Sequence, residues 1–262
     1  MKRPKVGLAL GSGGARGFSH LGVIKVLEDH GIPIDLIAGS SMGAFIGSLY
    51  GSGQDVDQLY KIAQTFKRKF FLDFTVPRMG LIQGKRIKEF IRIFTFNKRL
   101  EQFNIPIGVV ATNLYTGEKR VFLEGDASEA VRASISIPGV FVPQKIDDYL
   151  YVDGGVIDRV PVSVAKEMGA DIVIAVDCSR FTVNTEVQSI YDVMLQSIDI
   201  MQDELVGHIG LDADIMLKPD VGMYSSRAFT NTMQIIHEGE KETENNIDEI
   251  FTCIKTWKEK NE

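Results

Sequence analysis

Short apolar runs of strand length alternate with helix-length amphipathic runs along most of the chain, and each of the first two strand-like runs ends in a glycine-rich turn that opens a helix. Strand-like runs lie at Lys5–Leu10, Ile34–Gly39, Ile105–Ala111, Lys119–Leu123, Tyr149–Val152, Asp171–Asp177 and Ala213–Leu217. Helical spacing is read over 19–30, 44–50, 55–70, 84–95, 128–134, 161–168, 187–207 and 230–258. Alternating β and α segments bury best as an α/β fold, a mostly parallel central sheet with helices on both faces. With 262 residues, 44% of them hydrophobic and 24% charged, the chain holds a sizeable core and is neither disordered nor disulfide-stapled. Its two cysteines, Cys178 and Cys253, have no metal-ligand spacing and read as reduced core thiols. No metal or cofactor is expected.

The apolar run Val6–Leu10 is shorter than the roughly 7–15 residues of a signal-peptide core. No stretch reaches the roughly 18 apolar residues of a membrane span. The expectation is a cytoplasmic protein that touches membranes from outside, peripherally at an inner membrane surface.

Charge is unevenly placed. Residues 61–100 hold eleven bases and two acids, +9 within a net charge of −6, so the remainder carries −15. Seven phenylalanines interleave with those bases. Three readings fit: an amphipathic cap with buried Phe and solvated bases, a contact with an anionic bilayer, or a single-stranded nucleic-acid surface. The acidic stretch 238–249 reads as the solvated face of the last helix.

Gly39-Ser40-Ser41-Met42-Gly43 is a G-x-S-x-G match between a strand and a helix. A serine on so sharp a turn projects its hydroxyl out of the sheet, and Gly39 and Gly43 let backbone and helix approach. The other reading is a tight turn of small residues, with Ser40 as a competing nucleophile. Gly11-Ser12-Gly13-Gly14-Ala15-Arg16-Gly17 also joins a strand to a helix. Its bare amides suit an anion. A dinucleotide loop would need Gly where Arg16 stands and an acid after the second strand, and no Walker lysine follows. An oxyanion hole from Gly13 and Gly14, with the amides of Ala15 or Arg16, joins both glycine motifs in one site and is preferred.

A nucleophilic serine needs a base. His20, His30, His208 and His237 all lack a glycine-bracketed, strand-end setting and read as structural or exposed. Asp153 ends a strand-like run and precedes Gly154-Gly155, which leaves its carboxylate uncrowded. It is the candidate base, against the alternative of a Gly-Gly turn closed by an Asx hydrogen bond.

These residues resemble the bacterial patatin-like phospholipase family. LGSGGARGFSHLGV (10–23) is similar to its oxyanion motif, GSSMG (39–43) to its nucleophile elbow, RASISIPGVFVP (132–143) to the segment before its third motif, and DGG (153–155) to its catalytic aspartate. Ser12 departs from the pattern, where a further Gly is common, and DGG stands in place of DGA. The resemblance implies a three-layer patatin-like fold and a Ser-Asp dyad without histidine: Ser41 as nucleophile, Asp153 as general base, Gly13, Gly14, Ala15 and Arg16 as oxyanion hole. It implies a lipid or acyl-ester substrate, with no nucleic acid. Residues 1–180 would form the catalytic domain and 181–262 a C-terminal helical region packed on it. The segment 61–100 is expected over the site, as a lid or as the contact with an anionic membrane. A catalytically quiet regulator of the same fold and a nucleotide-binding oxidoreductase are the competing readings.

Overall fold

A computed structural model describes residues 3–67, 72–74, 76, 78–178, 190–209, 212–227 and 229–261. The strands are β1 (Val6–Leu10), β2 (Leu36–Ser40), β3 (Gly80–Ile82), β4 (Ile107–Asn113), β5 (Lys119–Phe122), β6 (Gly139–Phe141), β7 (Gln144–Ile146), β8 (Tyr149–Asp153), β9 (Ile172–Val176) and β10 (Ile215–Leu217). The helices are α1 (Ser19–Asp29), α2 (Met42–Gly51), α3 (Val56–Thr65), α4 (Lys85–Phe94), α5 (Ala127–Ser134), α6 (Val162–Glu167), α7 (Ile190–Ile209), α8 (Thr232–Asn245) and α9 (Ile247–Lys260).

The parallel strands run β10-β9-β1-β2-β4, so the predicted mostly parallel α/β sheet is present. Side chains alternate between two cores, as the two-residue period of a strand requires. Leu8 and Leu10 of β1, Val109 of β4 and Ile174 of β9 face a large core roofed by α1, α2, α5 and α8. Ala9, Val110, Val173 and Ala175 face a smaller one roofed by α6. Burying both faces explains why these strands read as continuous apolar runs.

The antiparallel end of the sheet positions the site. β5 pairs with one edge of β4 over Val109–Thr112, and β2 holds the other edge up to Ser40 opposite Val110. β8 pairs with Ala111–Asn113, so it must continue along the edge that β2 leaves. Asp153, opposite Ala111, therefore sits one register step beyond Ser40, where β2 turns into α2.

Three short strands escaped the sequence reading: β3, β6 and β7 have three residues each, too few to show a period. β3 and β6 pair in parallel and are bolted by the buried Arg132. Its guanidinium donates to the carbonyls of Gln83, Gly84 and Val142 and lies 4.9 Å from the ring centre of Phe141. Burial pulls its pKa down to about 10. The single helix expected over 230–258 is two, α8 and α9. Asn246 leaves helical geometry between them and its side-chain amide donates to Glu242 O, competing with the backbone ladder.

Residues 68–70 of the helix expected over 55–70 and 187–189 of that over 187–207 lie outside the described residues. So do Phe70 and Phe71 of the basic segment. The other five phenylalanines divide. Phe66, Phe90 and Phe94 join the core, with Phe66 and Phe90 5.6 Å apart and Phe90 and Phe94 4.3 Å. Phe74 and Phe96 are 71% and 55% exposed.

Candidate active site

Ser41 is the hinge of the β2–α2 turn and adopts φ 54°, ψ −119°, a left-handed conformation rare for a residue with a side chain. Such strain costs about 1–3 kcal/mol and persists only where the surroundings enforce it. Here they do. A β-carbon at Gly43 would lie 2.0 Å from Leu10 O, and one at Gly39 2.6 Å from Ala44 Cα, so only glycines let α2 dock this tightly on β1 and β2. The Ser41 amide donates to Ser134 Oγ at 2.9 Å.

The turn aims the Ser41 hydroxyl at Asp153. Ser41 Oγ donates to Asp153 Oδ2 at 2.6 Å, although 112 residues separate the two in the chain. Both are buried, at 6% and 5% exposure. The Asp153 amide donates to Ser136 O at 3.0 Å, and Thr112 Oγ1 donates to Asp153 O at 2.9 Å. Gly154 lets the turn close against β4 and β2, since a β-carbon there would stand 2.3 Å from Val110 O. The Gly155 amide donates to Asp153 Oδ1 at 2.8 Å, so the Asx hydrogen bond of a Gly-Gly turn coexists with the serine contact. Burial pushes the Asp153 carboxyl up to about 7, against the hydrogen bonds from Ser41 and the Gly155 amide, which stabilise its charged form, while the nearby charge of Asp199 adds to the rise. Ser40 points elsewhere: its hydroxyl is fully buried and accepts from Ser12 Oγ at 3.3 Å.

The glycine loop lines the same cleft as Ser41 and Asp153. Of its four expected amide donors, two are engaged: Ala15 N–H donates to Ser226 O at 2.8 Å and Arg16 N–H to Gly13 O at 3.1 Å. The amides of Gly13 and Gly14 have no acceptor among the described residues, so the nest narrows to those two. The Arg16 side chain turns to the C-terminal region, with Nε donating to Tyr224 O at 2.7 Å and Nη2 to Gly222 O at 3.1 Å. Burial lowers its pKa. Gly14, at φ 54°, passes so close to Ser226 that a β-carbon would lie 2.3 Å from its carbonyl oxygen. Residues 222–226 thus clamp the loop, a role no local signal announces. His20 packs behind the loop, buried, with Nε2 2.8 Å from Gly11 O, and burial drops its pKa to about 4.

The cover over the cleft is not the one expected. Among the described residues, 61–100 contribute none of the lining; α7 does, through Ile198, Asp199 and Gln202. The described part of 61–100 instead carries the end of α3, β3 and α4, and α4 packs on α5 and α2. The loop Ile137-Pro138, just before β6, forms another wall. α7 is pinned by Arg159, itself buried, whose Nη1 donates to Asp203 Oδ1 at 3.0 Å. Ser134, Arg159, Asp199 and Gln202 did not stand out in the sequence. Only the quoted segment 132–143 pointed near one of them.

The profile of the family described as patatin-like phospholipase matches residues 8–166. An uncharacterized NTE family protein of Mycobacterium tuberculosis is 39% identical over 176 residues, 66% of this chain and 49% of that protein. A protein of Coccidioides immitis named Lysophospholipase NTE1 is 38% identical over 186 residues, 69% of this chain and 12% of that one. This chain therefore spans about half the length of the mycobacterial relative and an eighth of the fungal one. Among solved structures, VipD from Legionella pneumophila superposes with a TM-score of 0.67 at 14% identity, covering 95% of this chain and 67% of that one, a likeness of fold.

Proposed function

Since the chain belongs to the patatin-like phospholipase family, we propose that it is a serine lipid acyl hydrolase working through a Ser41–Asp153 dyad and an acyl-enzyme. The observation that carries this reading is the 2.6 Å hydrogen bond from a strained elbow serine to a buried carboxylate whose pKa lies near 7. Asp153 accepts the Ser41 proton as the hydroxyl attacks an ester carbonyl. The Gly13 and Gly14 amides hold the oxyanion, each such donor being worth about 2.7–4 kcal/mol in the transition state. The alcohol departs with the proton from Asp153 and leaves acyl-Ser41. Asp153 then deprotonates water, which releases the acid and restores the serine. The family's description as phospholipase and the name of a relative, Lysophospholipase NTE1, favour phospholipids or lysophospholipids as substrates.

Ser41→Ala and Asp153→Asn should each lower hydrolysis of p-nitrophenyl butyrate by at least 1,000-fold, with fluorophosphonate labelling lost in Ser41→Ala. Near-full activity in either variant rejects the dyad.

The substrate is reached at a membrane surface. Among the described residues no helix is long and apolar enough to cross one. Phe74, Val76 and Met79 are exposed beside β3, and β3 pairs with β6, which follows the cleft wall Ile137-Pro138. Arg78, Lys85, Arg86 and Arg92 are exposed on the same segment. Apolar groups flanked by bases suit peripheral contact with an anionic, cytoplasm-facing bilayer.

A further inference from the structure

One polar group in the cleft has no part in that mechanism. Gln202, on the inner side of α7, is 9% exposed, and its carboxamide makes no hydrogen bond among the described residues. A carboxamide has two donors and an acceptor to offer to whatever enters the cleft. Its location is informative. The point where a β-carbon would stand on Gly155 is 3.2 Å from Gln202 Nε2, 3.1 Å from Asp153 Oδ1 and 2.4 Å from Ser12 Oγ. Two polar atoms, from Ser12 and Gln202, converge beside the carboxylate oxygen. Gln202 Nε2 and Asp153 Oδ1 are thus neighbours across the Gly155 turn, placed to share one water through hydrogen bonds of about 2.8–3 Å. A water satisfies both, in either orientation of the amide.

We propose that Gln202 is a positioning residue for the second half of the reaction: with Ser12 Oγ it holds the water that hydrolyses acyl-Ser41. This rests on the hydrolase reading above. One water O–H proton passes to the Asp153 carboxylate as the water oxygen bonds to the acyl carbon. The tetrahedral adduct then breaks its bond to Ser41 Oγ, which takes the proton back from Asp153, and the carboxylic acid leaves. Attack by Ser41 needs no such water, so acylation is independent of Gln202.

Gln202→Met keeps the length of the side chain and removes both polar atoms. With p-nitrophenyl butyrate it should give a burst close to one equivalent of nitrophenolate, followed by a steady rate at least tenfold below wild type. Acyl-Ser41 should then be visible by intact mass, and the rate of fluorophosphonate labelling should stay within twofold of wild type. Ser12→Ala removes only a hydroxyl and should shift the same ratio by a smaller factor, which keeps the test open should the Met variant fold poorly. Wild-type steady turnover in Gln202→Met, or a burst and labelling rate that fall in step with turnover, overturns the assignment. A wild-type protein that neither hydrolyses the ester nor takes the label overturns the hydrolase reading and this inference with it.

Discussion

As the general base of the proposed dyad, Asp153 answers two opposed demands. A general base must be ionised at working pH, yet basic enough to accept a proton, and a carboxylate in water is too weak for the second task. Burial supplies the basicity, while Ser41 and the Gly155 amide keep the charge tolerable. With a pKa of about 7, the reactive ionised form gains population as pH rises. The rate kcat/KM for a neutral ester should therefore climb through about pH 7 and level off above it. Asp199 raises Asp153 through its negative charge, so Asp199→Asn should move that midpoint to lower pH. A midpoint that stays put in a stopped-rate pH profile contradicts the electrostatic account. Ser12 and Gly155 belong together at this level, because the Ser12 hydroxyl occupies the volume that a methyl on residue 155 would fill.

Helix contacts set the frame that holds these residues. α1 and α8 cross at a pair of glycines, where a β-carbon on Gly22 would lie 2.1 Å from Ile236 O and one on Gly239 2.0 Å from Ser19 O. Neither backbone can yield without parting the helices. Gly239→Ala should cost about 1–3 kcal/mol by overpacking. For a chain of this size that lowers Tm by roughly 2–6 °C, measurable by calorimetry. α8 directly follows the segment 222–226 that clamps the glycine loop, so activity should fall further than stability alone requires. Unchanged Tm in Gly239→Ala would remove the close-packing argument.

The whole molecule is electrically lopsided: +9 lies within residues 61–100 and −15 outside them. Parts of the basic segment are locally neutralised, as by Lys88–Glu129 at 2.9 Å and Arg99–Glu101 at 2.6 Å. Exposed pairs of this kind are worth about 0–1 kcal/mol and leave the long-range field in place. Co-sedimentation with vesicles containing phosphatidylglycerol should exceed that with phosphatidylcholine alone and should weaken as salt shortens the Debye length to about 8 Å at 0.15 M. Phe74→Ser with Met79→Ser should reduce that uptake and leave hydrolysis of a short soluble ester unchanged. Uptake indifferent to lipid charge and to salt would disprove the electrostatic contribution.

The β/α alternation, the glycine turns, Ser41 and Asp153 were legible because each leaves a local mark: a hydrophobic period, a glycine where backbones close in, an acid at the end of a strand. The partner in the 2.6 Å hydrogen bond was named from such marks, but its distance was not written in them. It follows from β8 taking up the edge of β4 where β2 departs, a pairing between segments about forty residues apart. The clamp of 222–226 on Gly14 and Arg16, and α7 in place of 61–100 over the cleft, likewise depend on contacts across most of the chain. No short window encodes them. Buried area and backbone hydrogen bonding are shared among distant segments, and only the folded chain settles which ones share them.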